Sequence, residues 1–308
     1  MAILTDADVL KRFSDLRQFQ RGGHRAPHKP LLILLALGRL ARGEGRMVEF
    51  ADVEKQLKLL IEEFGPSVER GAPQYPFWHL HTDHGGGIWD LSGPASVLDR
   101  PAGATPGLRE LREQHVSGGF DAEVDEALRR NPALVDQLAD TLLSAHFPES
   151  LHTDIRSAVG MPESSGASVS AAPPAQQRDP AFRQRVLRAY EHRCAVCGLD
   201  LRIGSMTAAI EAAHIKWLQA NGPDVESNGL ALCSLHHKVF DLGGFTVQPE
   251  SYQLTFSQAI VASDRVKHIL LGYHGAGLIL PQSRAYYPAQ QFLDWHRSEV
   301  FKEPAREL

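Results

Sequence analysis

Only three cysteines occur in the 308 residues. Three thiols cannot build a disulfide framework, which excludes the small cross-linked secreted class. No apolar run is long. The longest, residues 31–37, falls well short of the ~20 residues that a membrane-spanning helix needs. It reads as a buried helix, and no membrane partner is expected. No apolar leader opens the chain either, because Asp6 and Asp8 interrupt it early. These absences predict a cytoplasmic protein in a reducing context. Basic charge is not in excess: the net charge is −5, so composition alone does not announce a nucleic-acid binder. The distribution says more. Residues 11–46 hold nine Lys/Arg against Asp15 and Glu44, whereas residues 51–177 hold nine against nineteen acidic residues. A basic segment on an otherwise acidic chain fits a local phosphate-binding face.

What is present is ordinary globular material, 43% hydrophobic and 22% charged, with no internal repeat and enough length for two cored domains. Thr5, with Asp8 three residues on, caps a first helix running toward Phe19. Pro30 suits the first turn of a second helix, which is apolar on nearly every side through Ala41 and so central to a core. Residues 50–64 carry Val53, Leu57, Leu60, Ile61 and Phe64 at helical spacing. The aromatic and histidine-dense residues 74–81 read as a strand or hairpin segment, and residues 88–91 as another strand. Residues 106–146 read as helix broken at Asn131-Pro132. Residues 161–178 are small and polar without periodic hydrophobics and mark a linker. The expected fold class is α+β, with a mostly helical domain over 1–160 and a second domain over 179–308. The second begins with a helix over 181–190, whose basic face is Arg183, Arg185 and Arg188. It closes with a hairpin over 244–256 and a helix over 288–300 that turns Phe292 and Trp295 inward.

All three cysteines fall within residues 194–241. Cys194-x-x-Cys197 lets two thiolates converge on one tetrahedral ion, and Cys233-x-x-His236 repeats the gap downstream. Cys194, Cys197, Cys233 and His236 complete a closed set, which predicts structural Zn²⁺ with no open position. His214, Asn228 and His237 remain unassigned by that site. The set Glu211-Ala-Ala-His214-Ile, Asn228-Gly-Leu and Cys-x-x-His236-His237-Lys-x-Phe-Asp resembles the HNH endonucleases, the ββα-metal fold, over about 50 residues. The chemistry needs these types: a neutral imidazole as base for water, and a cation against the charge that develops on the phosphate. The resemblance implies His214 as general base. It implies His237 as ligand of a catalytic Mg²⁺ or Mn²⁺, and Asn228 as orienting His214 or its loop or joining the metal site. Many relatives carry an acid or histidine directly before the base; here that place is Ala213. Glu211 is the nearest acid and a candidate ligand, although strand alternation points it to the face opposite His214. Asp241 reads as stabilising its helix end.

The segments Arg25-Ala-Pro-His28-Lys29-Pro30 and Tyr75-Pro76-Phe77-Trp78 resemble the sulfur-binding domain of McrA-like type IV restriction enzymes. That family recognises phosphorothioate DNA. The resemblance implies a shallow apolar cavity built from Arg25, Tyr75 and Pro76. His79 stands where some members have a small residue. His28, Lys29 and Arg21 are phosphate candidates. The expected function is cleavage of phosphorothioate-modified double-stranded DNA near the modification. Two strands require two cuts, so a homodimer is expected, with residues 284–301 as an interface. Two rivals stand beside it: an HNH enzyme that reads methylated bases with Tyr75, Phe77 and Trp78, and a zinc-stabilised DNA-binding protein that does not cut.

Overall fold

The computed structural model describes residues 4–14, 16, 27–65, 72–85, 87–101, 103–162, 179, 181–204 and 206–307. The linker expected over 161–178 lies outside them except for Met161 and Pro162, as do Arg21 and Arg25. The chain forms two compact units. The first is Met1–His146 with His152–Ala171, and the second is Phe147–Leu151 with Ala172–Leu308.

In the first unit the order is α1 (Asp6–Ser14), α2 (His28–Ala41), β1 (Val48–Glu49), α3 (Phe50–Phe64), α4 (Gln74–His79), β2 (Trp89–Ser92), α5 (Ala95–Leu98), α6 (Leu108–Glu113), β3 (Ser117–Phe120), α7 (Ala122–Arg130), α8 (Pro132–His146) and α9 (His152–Ala158). α1 starts on a reciprocal cap: Asp8 N donates to Thr5 Oγ1 and Thr5 N to Asp8 Oδ2, each at 3.2 Å. α2 buries Leu31, Leu32, Ile33, Leu34, Leu35 and Leu37. A helix apolar all round needs neighbours all round, and α3, α4 and α8 supply them. The small antiparallel sheet runs β1-β3-β2.

Residues 74–79 depart from expectation. They form α4 rather than a strand, followed by a 3₁₀ turn over Leu80–Gly85. Pro73 sits at the N-cap and Pro76 in the first turn, where a missing N–H costs no helical bond. Phe77 and Trp78 are buried. Phe77 meets Phe50 and Trp89 edge to face at 5.0 and 5.9 Å.

The second unit runs α10 (Phe182–Ala189), β4 (Arg202–Ile203), β5 (Met206–Thr207), β6 (Ile210–His214), β7 (Gly229–Cys233), α11 (Ser234–Asp241), β8 (Phe245–Val247), β9 (Leu254–Phe256), α12 (Asp264–Leu270) and α13 (Gln290–Glu299). β6 and β7 pair antiparallel in unbroken register from Ile210↔Cys233 to His214↔Gly229, and α11 follows at once. This is the ββα unit on which the site stands. α10 lies against it so closely that a Cβ on Gly229 would come 2.4 Å from Val186 Cγ2, so only glycine fits opposite His214. The hairpin β8–β9 and α13 close the core with Phe245, Phe256, Phe292 and Leu293. Among the described residues no helix is long and apolar enough to cross a membrane.

Candidate functional site

The zinc-type residues come together. The ligand atoms of Cys194, Cys197, Cys233 and His236 all lie within 4.8 Å of one another. His236 Nδ1 is 3.1 Å from Cys233 Sγ and 3.6 Å from Cys194 Sγ. Cys194 and Cys197 sit on the turn after α10, Cys233 ends β7, and His236 lies one turn into α11. Hydrogen bonds from Cys197 and Cys233 hold the Cys194 thiol far below its usual range. Burial works against charge on His236, but hydrogen bonds that the ring donates to the Cys194 and Cys197 sulfurs outweigh it and raise the ring to about 9. Thiolate is thus favoured at Cys194, whereas the hydrogen bonds with Cys194 and Cys197 push the Cys233 thiol up. Three soft sulfurs and one imidazole in a closed set are what structural zinc takes.

The neighbouring residue faces another way. His237 lines a cleft of about 330 Å³ together with His214, Glu211, Asp224, Asp241, Phe182 and Arg183. His237 Nδ1 is 2.6 Å from Glu211 Oε2, and its Nε2 is 3.1 Å from Asp241 Oδ2. Burial opposes charge on this ring, yet Asp241 and Glu211 raise it to about 10. Conversely, the hydrogen bond from His237 lowers Glu211 to about 2 despite its partial burial, with Ser234 Oγ donating to the other oxygen at 2.7 Å. Glu211 therefore shares the cleft with His214. The strand pairing that carries it has no bulge. Alternation fixes only where Cβ points, and the long Glu211 arm reaches α11.

Two carboxylates and an imidazole are an oxygen-and-nitrogen donor set suited to Mg²⁺ or Mn²⁺, and the imidazolium between them marks a place that holds positive charge. As arranged, the carboxylates occupy opposite ring nitrogens. Among the described residues the Cys₃His group is the one whose ligand atoms converge.

Asn228 is fully buried and does not line the cleft. Its Oδ1 accepts from Lys216 N at 2.8 Å, and its Nδ2 donates to Lys216 O at 2.9 Å and to Pro223 O at 3.0 Å. It ties together the two ends of the loop after His214. Sequence reasoning overlooked Asp224, whose Oδ1 accepts from His214 Nε2 at 2.7 Å. It gave Asp241 only a helix-end role. The i,i+4 spacing of His237 and Asp241 on one helix face was the signal that could have placed Asp241 in the cleft.

In the first unit, Tyr75 is 48% exposed. Its ring lies parallel to that of His79 with centroids 6.4 Å apart, one turn along α4. His79 Nε2 is 2.6 Å from Thr105 Oγ1, and burial, with the nearby Lys29 charge, lowers its pKa. Pro76 is buried. Lys29 Nζ donates to both oxygens of buried Asp83 at 2.8 and 2.9 Å. His28 Nε2 is buried and meets no polar partner among the described residues. Burial pushes this ring down to about 4, so it brings no cation to a phosphate near neutral pH.

The sign of the resulting pH effect follows from linkage. The unfolded ring takes up a proton near 6.5 and the folded ring near 4. Stability is therefore fully present above pH 6.5 and falls as pH drops toward 4, by roughly 3 kcal/mol from this group. Chemical denaturation between pH 8 and pH 4 should show this fall, and His28→Gln should make it shallower.

The profile of the ScoMcrA-like DNA sulfur-binding domain matches residues 6–164, just over half of the chain, and that of an HNH endonuclease matches residues 194–248. Among solved structures, "Sulfur binding domain of ScoMcrA complexed with phosphorothioated DNA" is 25% identical with a TM-score of 0.43, over 49% of this chain and 94% of that one. The corresponding SprMcrA complex is 26% identical with a TM-score of 0.41, over 51% and 94%. "Structure of the Type IV phosphorothioation-dependent restriction endonuclease ScoMcrA" is 26% identical with a TM-score of 0.42, over 59% of this chain and 33% of that one. No curated protein matches. The chain belongs to the ScoMcrA-like DNA sulfur-binding family and joins that domain to an HNH endonuclease domain.

Proposed function

We propose that the protein binds phosphorothioate-modified double-stranded DNA through its first unit and hydrolyses phosphodiester bonds nearby through its second. The observation that carries this reading is the pairing of a sulfur-binding family match over 6–164 with an HNH cleft walled by both His214 and His237. Sulfur is larger, softer and less strongly hydrated than the oxygen it replaces. An apolar step beside the exposed Tyr75 ring and Pro76 favours it, with Arg25 as the proposed rim. The aromatic cage of the methyl-reading rival is not supported, because Phe77 and Trp78 are committed to the core.

In the cleft, His214 is the proposed base that takes a proton from the attacking water. Arg183, whose Nη2 donates to Ile210 O at 3.0 Å, brings a fixed positive charge to the wall. His237 with Glu211 and Asp241 is the proposed place of a Mg²⁺ or Mn²⁺ ion. Such an ion, when bound, neutralises charge developing on the phosphate and the leaving oxygen. Zn²⁺ at the Cys₃His group holds the fold. One cleft cuts one strand, so two copies are proposed to act together.

The test is cleavage of three duplexes of one sequence, with a phosphorothioate, a methylated base, or neither, in Mg²⁺ or Mn²⁺. Cutting confined to the phosphorothioate duplex is expected. Equal cutting of all three would sink the sulfur reading. No cutting of any duplex in either ion would sink the nuclease reading.

A further inference from the structure

One carboxylate that lines the cleft is neither the proposed base nor part of the proposed ion site. Asp224 lies on the loop between β6 and β7, four residues before Asn228. It and His214 have side chains only 15% exposed, and Asp224 Oδ1 accepts from His214 Nε2 at 2.7 Å. Its other oxygen accepts from Asp179 N at 2.7 Å. The loop is anchored from α10, where Arg185 Nη2 donates to Asp224 O at 2.7 Å. The same guanidinium pairs with Asp179 at 2.6 Å and Glu226 at 3.1 Å. Phe182, also on α10, stacks on the His214 ring at 4.0 Å and 13°.

The imidazole is thus held in plane by one group and at one nitrogen by another. A carboxylate only accepts, so Nε2 carries the ring proton and Nδ1 is the basic nitrogen of the neutral ring. An imidazole without such a partner divides between two tautomers, and only one presents a base on a given side.

We infer that Asp224 is the positioning residue of His214, fixing the Nε2–H tautomer so that Nδ1 meets the attacking water and the two side chains act as a dyad. The inference rests on His214 being the base. The water proton passes to Nδ1 as the water oxygen bonds to phosphorus. The bond from phosphorus to the leaving oxygen breaks, its electron pair stays on that oxygen, and solvent protonates it. Asp224 takes no proton. It stabilises the imidazolium that forms and keeps the ring from turning.

The experiment is single-turnover cleavage of a phosphorothioate duplex by the full chain in Mn²⁺, with DNA affinity and zinc content measured in parallel. Asp224→Asn places an amide against Nε2 and is expected to slow cutting by roughly 10²–10⁴-fold while affinity and zinc stay unchanged. His214→Ala is expected to lose as much. The double variant should be no slower than His214→Ala, because residues that act as one unit are not additive. Glu226→Gln disturbs the same ion-pair cluster through its contact with Arg185, touches neither His214 nor the Asp224 side chain, and is expected to stay within about threefold. A further loss on adding Asp224→Asn to His214→Ala, or a Glu226→Gln defect as large as that of Asp224→Asn, would make the role structural and overturn the dyad. Normal cutting by Asp224→Asn beside a dead His214→Ala overturns the dyad alone. Normal cutting by His214→Ala overturns the base reading itself.

Discussion

Cys197→Ser is expected to abolish zinc binding and unfold the second unit. The choice of cysteine matters. Cys194 and Cys233 are buried within the apolar core that also holds Val186, Ile210 and Phe245, so replacing either also disturbs packing. Cys197 is only partly buried. Serine there keeps the volume and removes the thiolate, so a large effect comes from coordination. Structural zinc is worth on the order of 10–16 kcal/mol of folding free energy, against about 5–15 kcal/mol for a typical whole domain. The ligands also tie together three separate places: the turn after α10, the end of β7 and the first turn of α11. Losing the ion releases the helix that carries His237. Circular dichroism should show one cooperative transition lost and one retained from the first unit, with zinc falling from one per chain to none. Chelation of the wild type should reproduce this. Full stability and full zinc in Cys197→Ser would overturn the separation of a structural ion from the reacting residues.

The parts of this fold legible in the sequence are those fixed by local chemistry. Two-residue gaps between metal-type ligands need no tertiary knowledge, and neither do the apolar circumference of α2 or the cap at Thr5. The parts that were not legible depend on distant partners. Asp224 carries no spacing signal of its own. It becomes a partner of His214 because Arg185, 39 residues earlier, draws the loop onto α10. Alternation sets the Cβ direction of Glu211 and says nothing of how far a glutamate reaches. Residues 74–79 read as strand from their aromatics, while Pro73 and Pro76, both compatible with a first helical turn, were the better guide. His28 and Lys29 looked like phosphate contacts from charge alone. Burial of one and the Asp83 partner of the other are set by the fold and cannot be read from residue type.

His237→Ala is expected to leave zinc at one per chain and to abolish cutting, whereas its neighbour His236 belongs to the Cys₃His group and its loss would remove a zinc ligand. Adjacent residues on a helix point about 100° apart, so one ring can close the Cys₃His group while the next enters the cleft. Removing His237 leaves Glu211 and the buried Asp241 without the imidazolium between them. Stability should fall by a few kcal/mol, as when one partner of a buried pair is deleted, without reaching the loss caused by a missing zinc ligand. His237→Gln keeps an amide donor and should recover part of that stability, yet it supplies no imidazole for a catalytic ion. Both variants should therefore cut at least ~10²-fold more slowly than the wild type, with phosphorothioate-DNA affinity retained. If His237→Gln restored stability and cutting together, the ring would be a structural clamp for its two carboxylates. If His237→Ala lost zinc, the two histidines would belong to one metal centre.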